Sequence, residues 1–185
     1  MAQYNGFYSI AHSSYSEWKA VTINNGYNAD GAFGNQCWDY CAELWYQYGL
    51  TLYTGPGGNA KECWTVSRAR NARGPFRMVT GKENILKGDV LVFDSNTTSG
   101  TGHICFADED YSEGMTVIKT LGQMPSVYGL NGTVHVDNFS LNKFLGIFRN
   151  SEWDATPPSP TPATDWKEDP FPWPIAWEHW DQYKD

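Results

Sequence analysis

Apolar side chains recur with helical spacing in the first half of the chain. Between Cys37 and Tyr48 they stand at positions 37, 41, 44, 45 and 48, and Gly49 follows where a helix-ending glycine is expected. Further helices are predicted over residues 14–25 and 60–71. The chain therefore opens with helices joined by glycine-rich loops.

The pattern changes to short apolar runs, separated by turns, in the second half of the chain. We predict strands within residues 87–94, 102–108, 115–121, 133–136 and 144–149. Short strands that pair antiparallel after a helical opening favour an α+β domain over a doubly wound parallel sheet. The expected architecture is N-terminal helices packed on a small antiparallel sheet.

The composition changes at the end of the chain, where a proline-rich segment is followed by a tryptophan-rich one. Residues 1–150 form the predicted catalytic domain, and 151–164 read as a stiff, proline-rich linker. Residues 165–185 carry four tryptophans but are too few to fold alone. This tail has no assigned role.

Charge and composition exclude several classes of partner. The chain has 185 residues and a formal net charge of −8, from 13 basic and 21 acidic residues. This balance argues against nucleic acid as a partner, because phosphate binding draws on clustered Lys and Arg. No apolar run approaches the ~18 residues of a membrane helix, and the N-terminus lacks the pattern of a secretory signal. We expect a protein made in a cytoplasm that does not insert into a membrane.

Four cysteines differ in their expected roles. Cys37 stands at a predicted helix start, where the helix dipole favours a thiolate. Cys41, Cys63 and Cys105 are predicted to be buried small hydrophobic residues. A mixed metal site of Cys37, Cys41 and His103 is an alternative, although the spacing lacks the paired C-x-x-C pattern of zinc sites.

The histidine of the 102–108 strand completes a possible catalytic pair with Cys37. His103 follows a glycine in the run Gly-His-Ile-Cys-Phe-Ala. Attack on an amide needs a thiolate, a base that shares its proton, and donors for the developing oxyanion. His103 is the candidate base, and Gln36 can supply an oxyanion donor through its side chain or its backbone.

Three motifs in this order resemble the CHAP family of cysteine, histidine-dependent amidohydrolases and peptidases. They are Gly-Asn-Gln-Cys-Trp-Asp-Tyr at 34–40, Lys-Gly-Asp-Val-Leu-Val-Phe-Asp at 87–94, and Gly-His-Ile-Cys-Phe-Ala at 102–107. The resemblance covers about residues 14–150. It implies a papain-like fold, with Cys37 as nucleophile, His103 as general base, and peptidoglycan as substrate. The pattern is similar to phage lysins and tail-associated wall hydrolases.

The third member of the catalytic group departs from the family pattern. The family carries a carboxylate or an amide on the strand after the histidine, but residues 117–123 contain no carboxylate. Gln123 is our first candidate, because its amide oxygen could accept the imidazole N–H. Thr120 is the second, and Asp108 and Glu109 follow.

The loop before Cys37 has the register of a calcium loop. Counted from Asn28 as position 1, it places Asp30, Ala32, Gly34 and Asp39 at positions 3, 5, 7 and 12. Some phage members of the family look similar here and bind Ca²⁺. The competing interpretation is an ordinary turn in which Asp39 caps the helix. No organic cofactor is expected.

These patterns together predict a peptidoglycan hydrolase, either an endopeptidase or an N-acetylmuramoyl-L-alanine amidase, of the phage endolysin type. We expect a monomer that acts on the bacterial cell wall, with association with a virion as a further possibility. The alternatives are a non-catalytic wall-binding or virion module on the same fold, and acyl transfer to an amine in place of water.

Overall fold

The computed structural model describes residues 12–32, 34–95, 100–123 and 132–153. Most of the predicted linker and the whole tryptophan-rich tail lie outside these ranges, so both remain predictions. Within the ranges the protein combines short helices with one antiparallel sheet, which confirms the expected α+β class.

The helices begin and end where side chains or glycines satisfy the backbone. Helix α1 spans Tyr15–Thr22, and the hydroxyl of Ser14 caps it by accepting the N–H of Glu17. Helix α2 spans Cys37–Gln47 and is followed by Gly49 with φ of +65°. None of the described helices is long and apolar enough to span a membrane.

The predicted helix over 60–71 is instead two short helices. Helix α3 spans Glu62–Thr65 and helix α4 spans Arg68–Asn71. They are separated at Ser67, whose backbone leaves the helical region while its hydroxyl donates to the carbonyl of Thr54.

Within the described ranges six strands form the sheet in the order β1-β6-β2-β3-β4-β5, and every neighbouring pair is antiparallel. Their bounds are Phe76–Val79, Val90–Phe93, His103–Ala107, Val117–Gln123, Val134–Ser140 and Phe144–Asn150, for β1 to β6. Strand β1 was not expected from the sequence, because only one of its four residues is buried and Arg77 interrupts its apolar pattern.

The two faces of the sheet carry separate apolar clusters. Helix α2 packs with Trp18, Ile104 and Phe106 on one face. The opposite face holds a second cluster, to which Phe93 and Cys105 belong. Because successive side chains of a strand point to opposite faces, His103 shares the face of Cys105 and not that of Ile104.

Strand β5 curls over this second face. It is the edge strand next to β4, yet the ring centroid of Phe139 lies 4.7 Å from that of Phe93 on β2. Phe139 also stacks on His103, with ring centroids 4.7 Å apart. The curvature therefore brings side chains of β5 to the start of β3.

Candidate active site

Cys37 is the first residue of α2, as the sequence predicts. The residue is half-buried, and its sulfur interacts with the backbone N–H of Ile104, the residue directly after His103. The thiol thus lies at the end of the sheet where β3 begins. Cys41, Cys63 and Cys105 are fully buried free cysteines, which confirms their expected burial.

Gln123 joins the end of β4 to the start of α2. Its side chain is fully buried, and its amide nitrogen donates to the carbonyls of Tyr27 and Gln36 at 2.6 and 2.8 Å. Its amide oxygen accepts the N–H of Tyr27 at 2.7 Å. These contacts hold the residue before the thiol in place, but they do not bring Gln123 to the imidazole of His103.

The imidazole of His103 lies in a small pocket on the other face of the sheet. The pocket is lined by His103, Thr120, Gly122, His135, Asp137 and Phe139. A Cβ at Gly122 would lie 3.6 Å from Nε2 of His103, so this nitrogen points toward β4. Thr120, the second candidate for the third member, shares the pocket.

Burial determines the resting protonation of both groups. Enclosure of the sulfur raises the pKa of the Cys37 thiol, and the N–H groups of Ile104 and Trp38 oppose that change only in part. The pKa of His103 is lowered to about 4, mainly because burial disfavours the charged ring; Asp137 opposes this change and His135 adds to it. The resting pair is therefore a neutral thiol and a neutral imidazole, in contrast to the thiolate expected from the helix start.

The loop before α2 is closed by Asp39. Its Oδ1 accepts the N–H groups of Ala29 and Asp30 at 2.9 and 3.4 Å, and its Oδ2 accepts the N–H of Gln36 at 2.8 Å. Because Gln36 donates its N–H to Asp39, that N–H cannot serve an oxyanion. Of the two routes predicted for Gln36, only its side chain remains.

The loop before α2 also contains side-chain oxygen atoms that could bind a cation. Oδ1 of Asn28 is buried and has no hydrogen-bond partner among the described residues. Burial raises the pKa of Asp39 to about 6, and the nearby charge of Asp30 contributes. Hard oxygen donors of this kind fit Ca²⁺. Within the described ranges no three His, Cys, Asp or Glu side chains cluster as metal ligands, so the mixed Cys37, Cys41 and His103 site is not formed there.

Two pocket residues were missed by the sequence analysis. His135 alternates with Val134 and Val136, which suggests an outward-facing strand residue, but Val136 is the exposed neighbour and His135 lines the pocket. Asp137 follows two residues later on the same face. That alternation is the signal that could have placed both side chains on one face of β5.

Comparisons with known proteins agree with these features. A family model for the CHAP domain matches residues 24–123, more than half of the chain. The D-alanyl-L-alanine endopeptidase of Streptococcus phage B30 is 30% identical over 107 residues, which cover 55% of this chain and 23% of the phage protein. The chain thus spans about a quarter of that relative's length.

A solved structure shows the same fold. The crystal structure of the wild-type endolysin LysIME-EF1 matches with a TM-score of 0.56 at 19% sequence identity, covering 82% of this chain and 65% of that chain. The range matched by the family model includes both Cys37 and His103. The chain belongs to the CHAP domain family.

Proposed function

We propose that this protein is a peptidoglycan hydrolase in which Cys37 is the nucleophile and His103 the general base. The observation that carries the proposal is the position of the thiol, at the start of α2 and against the N–H that directly follows His103. Family membership and the endopeptidase relative support the same chemistry.

The reaction begins from the neutral pair. His103 takes the proton of Cys37 as the sulfur attacks the carbonyl carbon of the scissile amide, which gives a tetrahedral oxyanion and an imidazolium. The N–H of Cys37 and the side chain of Gln36 are the oxyanion donors. The imidazolium then protonates the leaving amine, the C–N bond breaks, and a thioester remains. Water, deprotonated by His103, hydrolyses the thioester and restores the thiol.

The name of the phage relative favours cleavage within the peptide part of the wall over the sugar–peptide amide. Mass spectrometry of the soluble fragments separates the two. Endopeptidase cleavage cuts the peptide and leaves part of the stem attached to the sugar, whereas amidase cleavage releases the stem peptide with a free L-alanine amino group and leaves a free lactyl carboxyl on the sugar.

The test is the loss of turbidity of purified Gram-positive cell walls. We expect wild type and Cys63→Ala to lyse the walls and Cys37→Ala to release no fragments, because Cys63 is a fully buried cysteine of α3 with no part in the proposed reaction. Lysis by Cys37→Ala would refute the nucleophile. Sedimentation of the wild type with walls that it never cuts would support the binding module instead. Release of fragments only when an amine is supplied would indicate acyl transfer.

We further propose that residues 28–39 hold Ca²⁺, which would fix the loop before Cys37. Asn28, Asp30 and Asp39 would contribute side-chain oxygens, and Ala32 and Gly34 backbone carbonyls. Asp39 already closes this loop through backbone N–H groups, so the ion would add rigidity. Isothermal titration with Ca²⁺ tests this directly. Binding that Asp30→Ala abolishes supports the site, and the absence of any heat with wild type would refute it.

A further inference from the structure

The buried imidazole of His103 lacks a charged neighbour on the adjacent strand. Only 7% of the residue is exposed, and the proposed reaction requires its ring to carry a positive charge. A charge in such a place is costly unless an opposite charge faces it. The inference that follows rests on the proposed function, in which His103 is the base.

Strand β4 offers only neutral groups to the ring. Gly122 has no side chain, and Thr120 is engaged elsewhere. The hydroxyl of Thr120 donates to the carbonyl of Asp137 at 3.3 Å and also interacts with Cys105. The strand that should supply the third member therefore supplies no carboxylate.

Glycine at position 122 leaves the space between the imidazole and β5 open. A Cβ there would lie 3.0 Å from Cβ of Cys105 and 3.6 Å from Nε2 of His103, so any larger side chain would fill the gap. Across that gap the half-buried Asp137 lines the same pocket. Its strand position is fixed by pairing with Thr120, and its Oδ1 accepts the N–H of Asn138 at 2.7 Å.

We propose that Asp137 is the positioning residue for His103. Its carboxylate lies on β5, one strand beyond β4, the strand on which the family carries the third catalytic member. From there it faces the imidazole and stabilises the imidazolium that forms when Cys37 gives up its proton. It replaces the carboxylate that β4 lacks.

The other titratable groups around the ring act differently. His135, also on β5, disfavours a positive charge on His103, whereas Asp137 favours it. Cys105 lies on the same strand and is a neutral thiol at pH 7, because burial raises its pKa. The Cys37 thiol, at the start of α2, is neutral for the same reason. Asp137 is thus the group of this set that carries the needed negative charge.

The first measurement is an NMR titration of the imidazole C–H resonances of His103, assigned by their loss in His103→Gln. We expect Asp137→Asn to lower the pKa of His103 below its wild-type value and His135→Gln to raise it. Asp137→Glu should restore most of the wild-type value. Asn138→Ala, a change on the opposite face of the same strand, should leave the pKa unchanged. A purely structural role of Asp137 would not lower the pKa of His103 in Asp137→Asn and restore it in Asp137→Glu.

The second measurement is the rate of fragment release from cell walls at pH 7. Loss of the carboxylate should lower this rate in Asp137→Asn by about ten- to a hundred-fold, the effect of one partly screened charge on a buried cation. Asp137→Glu should recover part of the rate. Circular dichroism establishes that each variant is folded.

The two measurements separate this inference from the proposed function. If wild type releases no fragments, the proposed hydrolase function is refuted, but the titration still reports whether Asp137 acts on His103. If wild type is active and Asp137→Asn changes neither the titration nor the rate, the inference is overturned and the hydrolase stands.

Discussion

Acid should destabilise this protein through one buried side chain, His103. Its imidazole has a pKa of about 4 in the folded protein, against 6.5 for an exposed histidine, because burial disfavours the charged form. Between these two values the unfolded chain binds a proton that the folded protein does not. The contribution of His103 to the free energy of unfolding is therefore fully present above about pH 6.5, and it is lost as the pH drops toward 4.

The size of the effect follows from the gap between the two pKa values. A gap from 6.5 to about 4 corresponds to at most about 3 kcal/mol, at 1.36 kcal/mol per pH unit. At about pH 4.5 most of this, about 2–3 kcal/mol, is already lost. That is a large share of the 5–15 kcal/mol typical of a folded domain.

Urea unfolding at about pH 7 and about pH 4.5 measures this effect. The free energy of unfolding of wild type should fall more between the two pH values than that of His103→Gln, by about 2–3 kcal/mol. His12→Gln is the matched control and should keep the wild-type dependence, since His12 lies outside the pocket and His103 is the buried histidine among those that the structure describes. Equal losses in wild type and His103→Gln would refute the assignment of the acid sensitivity to this ring.

Two further substitutions test the supports of the site. Asp39→Ala removes the acceptor of three loop N–H groups and should lower the free energy of unfolding by about 1–3 kcal/mol in thermal or urea unfolding. Asp30→Ala should cost less, because Asp30 accepts only one exposed N–H in this loop. Equal costs would contradict the loop-closing role. Gly122→Ala places a Cβ 3.0 Å from Cβ of Cys105 and should cost about 1–3 kcal/mol, because Cys105 must give way. It should also slow fragment release, because the methyl group occupies the space beside the ring of His103. Unchanged rate and stability would show that the pocket has spare room.

The elements that could be predicted are those with strong local signals. Helix α2 combines apolar side chains at helical spacing with Gly49 at its end, and β2 and β3 are continuous apolar runs bounded by turns. Strand β1 carries no such signal. It lies at the sheet edge and buries only Phe76, so its strand character comes from pairing with β6.

The site was predictable only as far as local sequence reaches. Cys37 at a helix start and His103 at a strand start follow from short motifs. The role of Gln123 does not, because alternation along β4 turns its side chain away from His103 and toward Tyr27 and Gln36. Asp137 was missed because its place in the pocket of His103 depends on the curl of β5, which is a long-range property of the sheet.

The buried amide of Gln123 also bears on how the protein acquires its active form. It bonds to Tyr27 and Gln36, residues 96 and 87 positions away in the chain. Contacts between such distant segments carry a large loop-closure cost and slow the search for the native topology. The helix bearing Cys37 can form early from local interactions, but its first turn is anchored only once β4 has joined the sheet. Reactivity of the thiol is thereby tied to completion of the fold, and a nascent or partly folded chain carries an unaligned nucleophile.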